Sequence, residues 1–262
     1  MSDDDRTAPP RGYRACVVVP VFDHEQALPA LIDALRPVGL PCYLVDDGSG
    51  PACAAVVAAL AAANPGWVRA LRLERNQGKG AAVLAGFRRA LADGFTHAVQ
   101  IDADLQHRPA DIPRFVDVSR RAPDAIVCGA PQFDASIPAA RYWGRWLTHV
   151  LVWVETLSLD IRDSMCGFRL YPLAPAVALD DRAPFGRRMQ FDTDAVVRLH
   201  WSGVPVLNEP TPVTYPVDGV SHFAMLDDNL RMIRLHLGLL AGMLVRAPWL
   251  IVRRTARRTS AA

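Results

Sequence analysis

Short apolar runs alternate with longer segments of helical pattern through the first half of the chain. The apolar runs predict five strands, at 15–20, 42–47, 68–74, 96–102 and 124–130. The segments between them carry apolar residues at helical spacing and end at turn residues such as Gly94. Strands separated by helices of this length form right-handed crossover units. The predicted fold class is therefore α/β, with a mostly parallel sheet flanked by helices.

The second half of the chain is less regular. A long aromatic-rich helix is predicted over 138–160, and a loop with the sequence RDSMCGFRLYP follows it. A helix around FDTDAVVRLHWSG precedes two short predicted strands, VPVLNE and TPVTYPV, and the last helix begins near Met225. Since no repeat or linker interrupts the pattern, we expect one domain over 14–222. A leader at 1–13 and a helical extension with a basic tail at 223–262 flank it.

Polar clusters follow four of the predicted strands at their carboxyl ends. In chain order their sequences are PVFDHE, DDGSG, RNQGKG and DADLQH. The carboxyl ends of parallel strands meet at one edge of a sheet, and ligands bind in the crevice outside that edge. We therefore expect the four clusters to line a single binding crevice.

Two carboxylates, Asp102 and Asp104, stand two positions apart at the end of the fourth predicted strand. Side chains two apart in extended backbone point to the same side, and neighbouring carboxylates raise each other's pKa unless a cation lies between them. Mg²⁺ or Mn²⁺ takes one or two carboxylates and completes its coordination with substrate phosphates and water. The pair predicts such a metal site. The alternative is an Asp-x-Asp in a solvated surface loop, which its position after an apolar strand disfavours.

Composition narrows the class of protein. Hydrophobic residues make up 51% of the 262 residues, enough for a sizeable core, and a net charge of +2 gives no electrostatic argument for nucleic acid. The five cysteines include no C-x-x-C pair, which is typical of a reducing cytoplasm. The acidic, Pro-rich leader lacks the apolar segment of a signal peptide, so we expect it to be disordered.

The C-terminal region is the most apolar part of the sequence. No stretch in it reaches the roughly 18 uninterrupted apolar residues of a spanning helix. The nearest, at 237–258, is interrupted by Arg246 and Pro248 and ends in arginines. Two interpretations remain open: a helix lying on an anionic membrane surface, or a helix docked on the protein's own core with a solvated basic tail.

Five motifs in a fixed order give a more specific indication. They are VVVPVFDHEQALP, LVDDGSG, NQGKGAAVLAGF, IDADLQH and DSMCGFRLYP. This order resembles that of inverting family-two glycosyltransferases of the Rossmann-like GT-A fold, in particular the dolichol-phosphate mannosyltransferase branch. The later run MQFDTDAVVRLHWSGVPVLNEPTPVTYPVDGVSHF resembles more closely the glycosyltransferases of bacterial aryl-polyene (xanthomonadin-type) pigment gene clusters. The resemblance covers about residues 15–245.

The resemblance implies roles for the residues at matching positions. Nucleotide-sugar binding falls to Pro20, Phe22, Asp47, Lys79, Asp102 and Gln106. Pro20 and Phe22 would flank the base, which Asp47 would hydrogen-bond, although many relatives have Tyr in place of Phe22. Lys79 would support the ribose-diphosphate, and Gln106 would lie beside the sugar. Asp104, with Asp102, would hold Mg²⁺ or Mn²⁺ against the diphosphate.

On the acceptor side the resemblance points to Asp163 as the catalytic base. The alternative is that Asp163 only orders its loop, by pairing with Arg169. Asp192 and Asp194 are weaker candidates for the base because acids at helix starts are commonly capping residues. Possible anion or acceptor contacts are Arg141, Arg145, Arg169 and His222.

The function implied is a metal-dependent inverting glycosyltransferase that uses a UDP- or GDP-hexose donor. Its acceptor would be lipid-linked or hydrophobic, and the tryptophans of 138–160 and the C-terminal helix would give peripheral contact with the inner face of the cytoplasmic membrane. Two alternatives stay open: a polyprenyl-phosphate glycosyltransferase, and a catalytically silent nucleotide-sugar-binding scaffold. A nucleotidyltransferase is disfavoured because PVFDHE lacks the glycines of a triphosphate loop.

Overall fold

The structure is a computed structural model that describes residues 12–133, 139–213 and 225–259. The strands are β1 (Ala15–Val21), β2 (Cys42–Asp46), β3 (Val68–Arg72), β4 (His97–Gln100), β5 (Ile126–Phe133), β6 (Arg169–Pro172) and β7 (Val206–Val213). The helices are α1 (Leu28–Leu35), α2 (Pro51–Ala63), α3 (Lys79–Ala92), α4 (Ile112–Arg121), α5 (Ala139–Thr156), α6 (Leu173–Arg182), α7 (Phe191–Trp201) and α8 (Met225–Thr259). Most of the predicted leader lies outside the described residues.

All seven strands belong to one sheet, in the order β3-β2-β1-β4-β6-β5-β7. Strand β6 runs antiparallel to β4 and β5, and the other neighbouring strands pair in parallel. The predicted α/β class with a mostly parallel, helix-flanked sheet is confirmed. The five strands predicted in the first half of the chain all form.

The central strands are apolar on both faces because helices cover both faces of the sheet. Cys16 and Val18 of β1 point into one core, where they meet Phe87 of α3. Val17 and Val19 of the same strand point into the second core, which α1, α2 and α4 cover. This two-sided burial explains why the strands read as continuous apolar runs rather than as alternating patterns.

The second half of the chain departs from the predicted elements. The sequence RLYP, predicted as loop, forms β6 in the interior of the sheet, and α6 follows directly. The two strands predicted after α7 are one strand, β7, which pairs with β5 through Pro210 and Pro212. Pro210 stands between the two predicted strands, but β7 is an edge strand, where a missing backbone N–H costs no ladder hydrogen bond on the solvent side.

Helix α8 begins at Met225, as predicted, and one of its faces packs on the domain. Leu239 and Met243 are buried, and His236 Nδ1 lies 2.7 Å from Glu155 Oε1 on α5. By length and composition only, Asp227–Arg253 could cross a membrane, and 17% of that stretch is buried. The expectation that no segment is long and apolar enough is therefore corrected, because Pro248 lies inside the helix without ending it.

The packing of α3 against β1 and β2 can be tested at Gly86. A Cβ on Gly86 would lie 2.5 Å from Val18 Cγ1 and 3.1 Å from Val45 Cγ2, so α3 must move when the residue is enlarged. We expect Gly86→Ala to lower the free energy of unfolding by about 2 kcal/mol in urea denaturation.

The matched control is Gly144→Ala in α5, where an added Cβ meets nothing within 4 Å. Alanine favours a helix interior over glycine by up to about 1 kcal/mol, so this variant should be as stable as the wild type or more so. Equal stability of the two variants would contradict the close approach of α3 to β1.

Candidate active site

The loops that follow β1, β2 and β3 meet at the carboxyl edge of the sheet, as predicted. Pro20, in β1, and Phe22, directly after it, are half-buried. The backbone N–H of Asp47 donates to the carbonyl of Val21 at 2.8 Å, which joins the ends of β1 and β2. These three residues occupy the edge at which the base of a nucleotide-sugar was predicted to bind.

The Asp47 side chain is buried and connects β2 to the loop before α3. Its Oδ1 accepts a hydrogen bond from Gln77 N at 2.8 Å, and its Oδ2 accepts one from Gly78 N at 2.7 Å. Burial raises the pKa of the Asp47 carboxyl although these backbone hydrogen bonds favour the charged form. Asp47 thus fixes the NQGKG loop, and its contact with a base remains a prediction.

Gly78 allows this loop to pass beneath the segment between α6 and α7. Its φ of +102° lies in the left-handed region, and a Cβ there would lie 2.5 Å from Arg188 Cγ and 2.6 Å from the Arg187 carbonyl oxygen. The close passage places Lys79, the first residue of α3, beside the end of β4.

Lys79 lies between two carboxylates. Its Nζ donates to Asp102 Oδ2 at 2.7 Å and to Asp192 Oδ2 at 2.8 Å, and 14% of its side chain is exposed. Burial would lower the pKa of Lys79, but the two carboxylates outweigh burial and raise it. Burial would likewise raise the pKa of Asp102, and Lys79 outweighs it and holds that pKa below its ordinary value. Part of the positive charge predicted beside Asp102 therefore comes from the protein itself.

Asp104 lies in a different environment from Asp102. Its Oδ1 accepts a hydrogen bond from Gln106 N at 3.0 Å across Leu105, whose φ is +59°. Burial and the neighbouring charge of Asp102 both raise the pKa of the Asp104 carboxyl. An added cation would relieve this repulsion, because an opposite charge favours the ionised form.

The pair fits a hard divalent cation such as Mg²⁺ or Mn²⁺. Asp102 Oδ1 is buried and has no hydrogen-bond partner in the part of the chain that the structure describes. Among the same residues, no three His, Cys, Asp or Glu side chains form a group that could hold a metal. Two carboxylates, with phosphate and water completing the shell, are the ligand set that Mg²⁺ commonly takes.

Gly167, in the loop before β6, covers the ion pair between Lys79 and Asp102. A Cβ at this position would lie 2.5 Å from Lys79 Nζ and closer still to Asp102 Oδ2. Any larger residue would have to displace the charged groups. The functional importance of this glycine was missed in the sequence, although it stands within the DSMCGFRLYP motif.

Asp163 forms the centre of a second ionic cluster. Its Oδ2 accepts from Arg145 Nε at 2.5 Å, and its Oδ1 accepts at 2.8 Å from Arg145 Nη2 and from the backbone N–H groups of Met165 and Cys166. Burial would raise the pKa of Asp163, but Arg145 outweighs it and lowers the pKa. A carboxylate held in this way is a poor proton acceptor, which does not fit the predicted base. The alternative, that it orders its loop, fits better, with Arg145 in place of Arg169.

The structure contradicts the prediction of Arg169 as an anion contact. Its side chain is fully buried, and its guanidinium donates to the carbonyl of Ser164 at 2.6 Å and to the carbonyl of Asp192. The reason is that β6 lies in the interior of the sheet. Arg169 therefore links the loop before β6 to α7 by hydrogen bonds to their backbone carbonyls. The side chain of Arg141 and the whole of His222 lie outside the described residues.

Acidic residues near the start of α7 do not cap that helix through their side chains. Asp194 Oδ2 accepts from Gly186 N at 2.8 Å, and its pKa is raised by burial. Asp192 Oδ1 accepts from Gln100 Nε2 at 2.8 Å, while its other oxygen binds Lys79. The sequence argument that Asp192 is a helix-capping residue was therefore wrong. The apolar residues around it in MQFDTDAVV were the signal that it is buried.

His107 is a further residue that the sequence gave no reason to select. It is buried, it stacks on Phe168 with ring centroids 5.4 Å apart, and its Nε2 lies 3.9 Å from Cys166 Sγ. Burial lowers the pKa of His107 to about 4, so the ring is neutral at pH 7. His107 thus places a neutral, rigid ring between the two ionic clusters.

Comparison with known proteins places this site in a family. Residues 16–171 match the model of "Glycosyl transferase family 2". An undecaprenyl-phosphate 4-deoxy-4-formamido-L-arabinose transferase of Pectobacterium carotovorum is 37% identical over 116 residues, 42% of this chain and 35% of the relative. A protein of the same name from Pseudomonas aeruginosa is 33% identical over 161 residues, 59% of this chain and 46% of the relative. The chain thus spans between a third and a half of these relatives' length.

Solved structures support the fold. Glucosyl-3-phosphoglycerate synthase from Mycobacterium tuberculosis, in complex with Mn²⁺ and uridine-diphosphate-glucose, superposes with a TM-score of 0.65. The match has 15% sequence identity and covers 93% of this chain and 83% of the other. The complex of that enzyme with phosphoglyceric acid gives a TM-score of 0.66 at the same identity. At this identity the likeness establishes a GT-A-like fold alone.

The buried state of His107 predicts how stability depends on pH. Its pKa is 6.5 in an unfolded chain and about 4 in the folded protein, so below pH 6.5 the unfolded state binds the proton first. The corresponding stability is present above pH 6.5 and is lost as the pH falls toward 4. His107→Phe keeps a ring on Phe168 and removes the titrating group. Between pH 7 and pH 5 the wild type should lose about 2 kcal/mol more unfolding free energy than this variant.

Urea denaturation at the two pH values measures the difference. Other carboxyl groups titrate equally in both proteins, so only the difference between the two losses reports on His107. Equal losses in the wild type and the variant would mean that His107 is protonated as readily in the folded protein as in the unfolded chain.

Proposed function

Since the chain belongs to glycosyl transferase family 2, we propose that it transfers a hexose from a UDP- or GDP-linked donor, with inversion, to a lipid-linked or hydrophobic acceptor. The observation that carries this proposal is the pair Asp102 and Asp104 at the carboxyl end of β4. Asp102 Oδ1 is buried without a hydrogen-bond partner among the described residues, and the pKa of Asp104 is raised. Both features favour an added divalent cation, which would stabilise the negative charge of a diphosphate leaving group.

Each residue of the proposed donor site has its own role. Asp102 and Asp104 would hold Mg²⁺ or Mn²⁺, which when bound stabilises the negative charge that develops on the leaving nucleoside diphosphate. Lys79, paired with Asp102 at 2.7 Å, would support the ribose-diphosphate of the donor. At the predicted base and sugar positions the donor is oriented by Pro20, Phe22, Asp47 and Gln106.

A phosphate is the acceptor group that best suits the acceptor side. An acceptor hydroxyl needs a base to take its proton, whereas a phosphate is already ionised at neutral pH. Asp163, the predicted base, has a lowered pKa and four hydrogen bonds, so it serves better as the anchor of Arg145. The named acceptor of the curated relatives is undecaprenyl phosphate, which supports a polyprenyl phosphate here. The narrower resemblance to enzymes of aryl-polyene gene clusters stays a prediction.

We place the enzyme at the inner face of the cytoplasmic membrane, in contact through α5 and α8. Trp143 and Leu147 of α5 are 69% and 64% exposed, and Leu244 and Val245 of α8 are 70% and 81% exposed. Apolar side chains exposed in this number on two adjacent helices, near a basic chain end, favour an anionic lipid surface. The same helix docks its other face on the domain, so both interpretations of the C-terminal region hold in part. On this view 223–262 is the membrane-contacting extension of the domain at 14–222.

Thermal denaturation of the purified chain tests the donor site. The melting temperature is measured with UDP, GDP, dTDP and CMP, each with and without Mn²⁺. One nucleotide should raise it in a Mn²⁺-dependent manner, because a ligand that binds only the folded state stabilises that state. Asp104→Asn should abolish the Mn²⁺-dependent part. Asp33→Asn, at a carboxylate of α1 that is 78% exposed, is the matched control and should behave as the wild type.

The sugar conjugate of that nucleotide is then supplied with undecaprenyl phosphate and, separately, with a lipid that offers only hydroxyl groups. Transfer to the phosphate but not to the hydroxyl lipid is expected. If none of the nucleotides changes the melting temperature, the proposed donor site is contradicted and a catalytically silent scaffold is favoured. Transfer only to the hydroxyl lipid would overturn the phosphate acceptor and restore the need for a base.

Vesicle binding tests the membrane face. The variant Leu244→Glu/Val245→Glu places two charges on exposed apolar positions of α8. Its partition onto phosphatidylglycerol-containing vesicles should fall by about tenfold or more, since burial of each such side chain is worth roughly 1.5–3 kcal/mol. Co-sedimentation measures this partition.

The matched control is Ala62→Glu/Ala63→Glu, which adds the same charges at exposed positions of α2. This variant should bind as the wild type does. Equal binding by all three proteins would contradict the proposed face. Wild-type protein that resists extraction from the vesicles by salt and by alkaline carbonate would point to a spanning helix instead of peripheral contact.

A further inference from the structure

Asp192 is a buried carboxylate to which the proposed reaction gives no role. It stands in the first turn of α7, and its side chain is 5% exposed. One carboxylate oxygen lies 2.8 Å from Lys79 Nζ and the other accepts from Gln100 Nε2 at 2.8 Å. Asp192 lies outside the predicted pair of metal-binding carboxylates, yet it shares a counterion with one of them.

Lys79 divides its positive charge almost evenly. Its Nζ lies 2.7 Å from Asp102 Oδ2 and 2.8 Å from Asp192 Oδ2, so neither carboxylate holds it alone. Asp104 adds a third carboxylate nearby, while the buried guanidinium of Arg169 binds the backbone carbonyl of Asp192. Three carboxylates against these two cations leave one negative charge, which favours binding of a divalent cation.

The surrounding residues hold this arrangement in place. Gln100 fixes the carboxylate of Asp192, and Arg169 binds its backbone carbonyl. Gly167, in the loop before β6, lies directly against the ion pair, since a Cβ there would lie 2.5 Å from Lys79 Nζ. The three charged groups come from the segment after β4, from α3 and from α7, which are distant in sequence.

We propose that Asp192 is a positioning residue that tethers Lys79, so that Asp102 keeps enough negative charge to bind the divalent cation with Asp104. Without the Asp192 charge, the ammonium would belong to Asp102 and would compete with the cation for it. The proposal rests on the proposed function, because it assumes the cation site at Asp102 and Asp104. It assigns to α7 a part in cation binding although no residue of α7 need touch the cation.

The binding of Mn²⁺ alone to the purified full-length chain tests the tether, with unbound Mn²⁺ measured by electron paramagnetic resonance. Asp192→Asn removes one negative charge and should weaken Mn²⁺ binding by about tenfold. Lys79→Gln removes the competing ammonium and, at pH 8, well above the ordinary pKa of an aspartate, should tighten binding by about tenfold. The double variant restores the net charge and should return to within about threefold of the wild type. Asp33→Asn is the control for the loss of a distant charge.

A general disruption of the site would give a different pattern. If Asp192→Asn, Lys79→Gln and the double variant all lose Mn²⁺, the cluster is structural and the tether is overturned. Unchanged Mn²⁺ affinity in Asp192→Asn overturns it as well. A wild type that binds no Mn²⁺ defeats the cation site itself, and with it the proposed function, which separates that failure from failure of the tether alone.

Two further variants keep the test valid if a substitution harms folding. Asp192→Glu retains the charge and should keep Mn²⁺ affinity within about threefold even if its melting temperature falls. If Asp192→Asn does not fold, the double variant carries the test, because loss of its Mn²⁺ binding contradicts the charge balance. In transfer assays, Asp192→Asn should raise the Mn²⁺ concentration needed for half-maximal rate.

Discussion

Lys79 is a buried ammonium held by Asp102 and Asp192, and three parts of the fold meet at it. Asp102 lies two residues after β4, Lys79 begins α3, and Asp192 lies in the first turn of α7. A buried charge is tolerated only when it is paired and hydrogen-bonded. The loops around it are therefore tied to this point: Asp47 anchors the segment before Lys79, and Gly167 closes over it.

Most of the sheet could be predicted from the sequence because strands buried on both faces leave continuous apolar runs. The four residues of β6 could not, since so short a strand gives no periodicity and its Arg169 reads as a surface cation. Only the insertion of β6 between β4 and β5 buries that guanidinium, and a long-range pairing of this kind leaves no local trace in the sequence. The same limit applies to β7, whose prolines are compatible with a strand only at an edge.

The residues of the candidate site also fall into those that could be predicted from the sequence and those that could not. Positions fixed by the ends of strands, such as Asp47, Asp102 and Asp104, could be predicted because topology alone brings them to one edge. Positions fixed by tertiary ion pairs could not. Asp163, the predicted base, pairs with Arg145, and Asp192, a weaker candidate for the base because it stands at a helix start, pairs with Lys79. A sequence identifies the charged residues, but it does not say which opposite charge each one meets.

The ionic clusters around Asp163 and around Asp102 differ in whether the protein itself balances their charges. Around Asp163 the charges are balanced within the protein, because Arg145 and two backbone N–H groups satisfy the carboxylate. Around Asp102 they are not, because Lys79 and Arg169 stand against three carboxylates and Asp102 Oδ1 lacks a partner among the described residues. The negative charge left around Asp102 and Asp104 would favour a bound cation when a diphosphate approaches. In the absence of a cation, Lys79 limits the repulsion between Asp102 and Asp192.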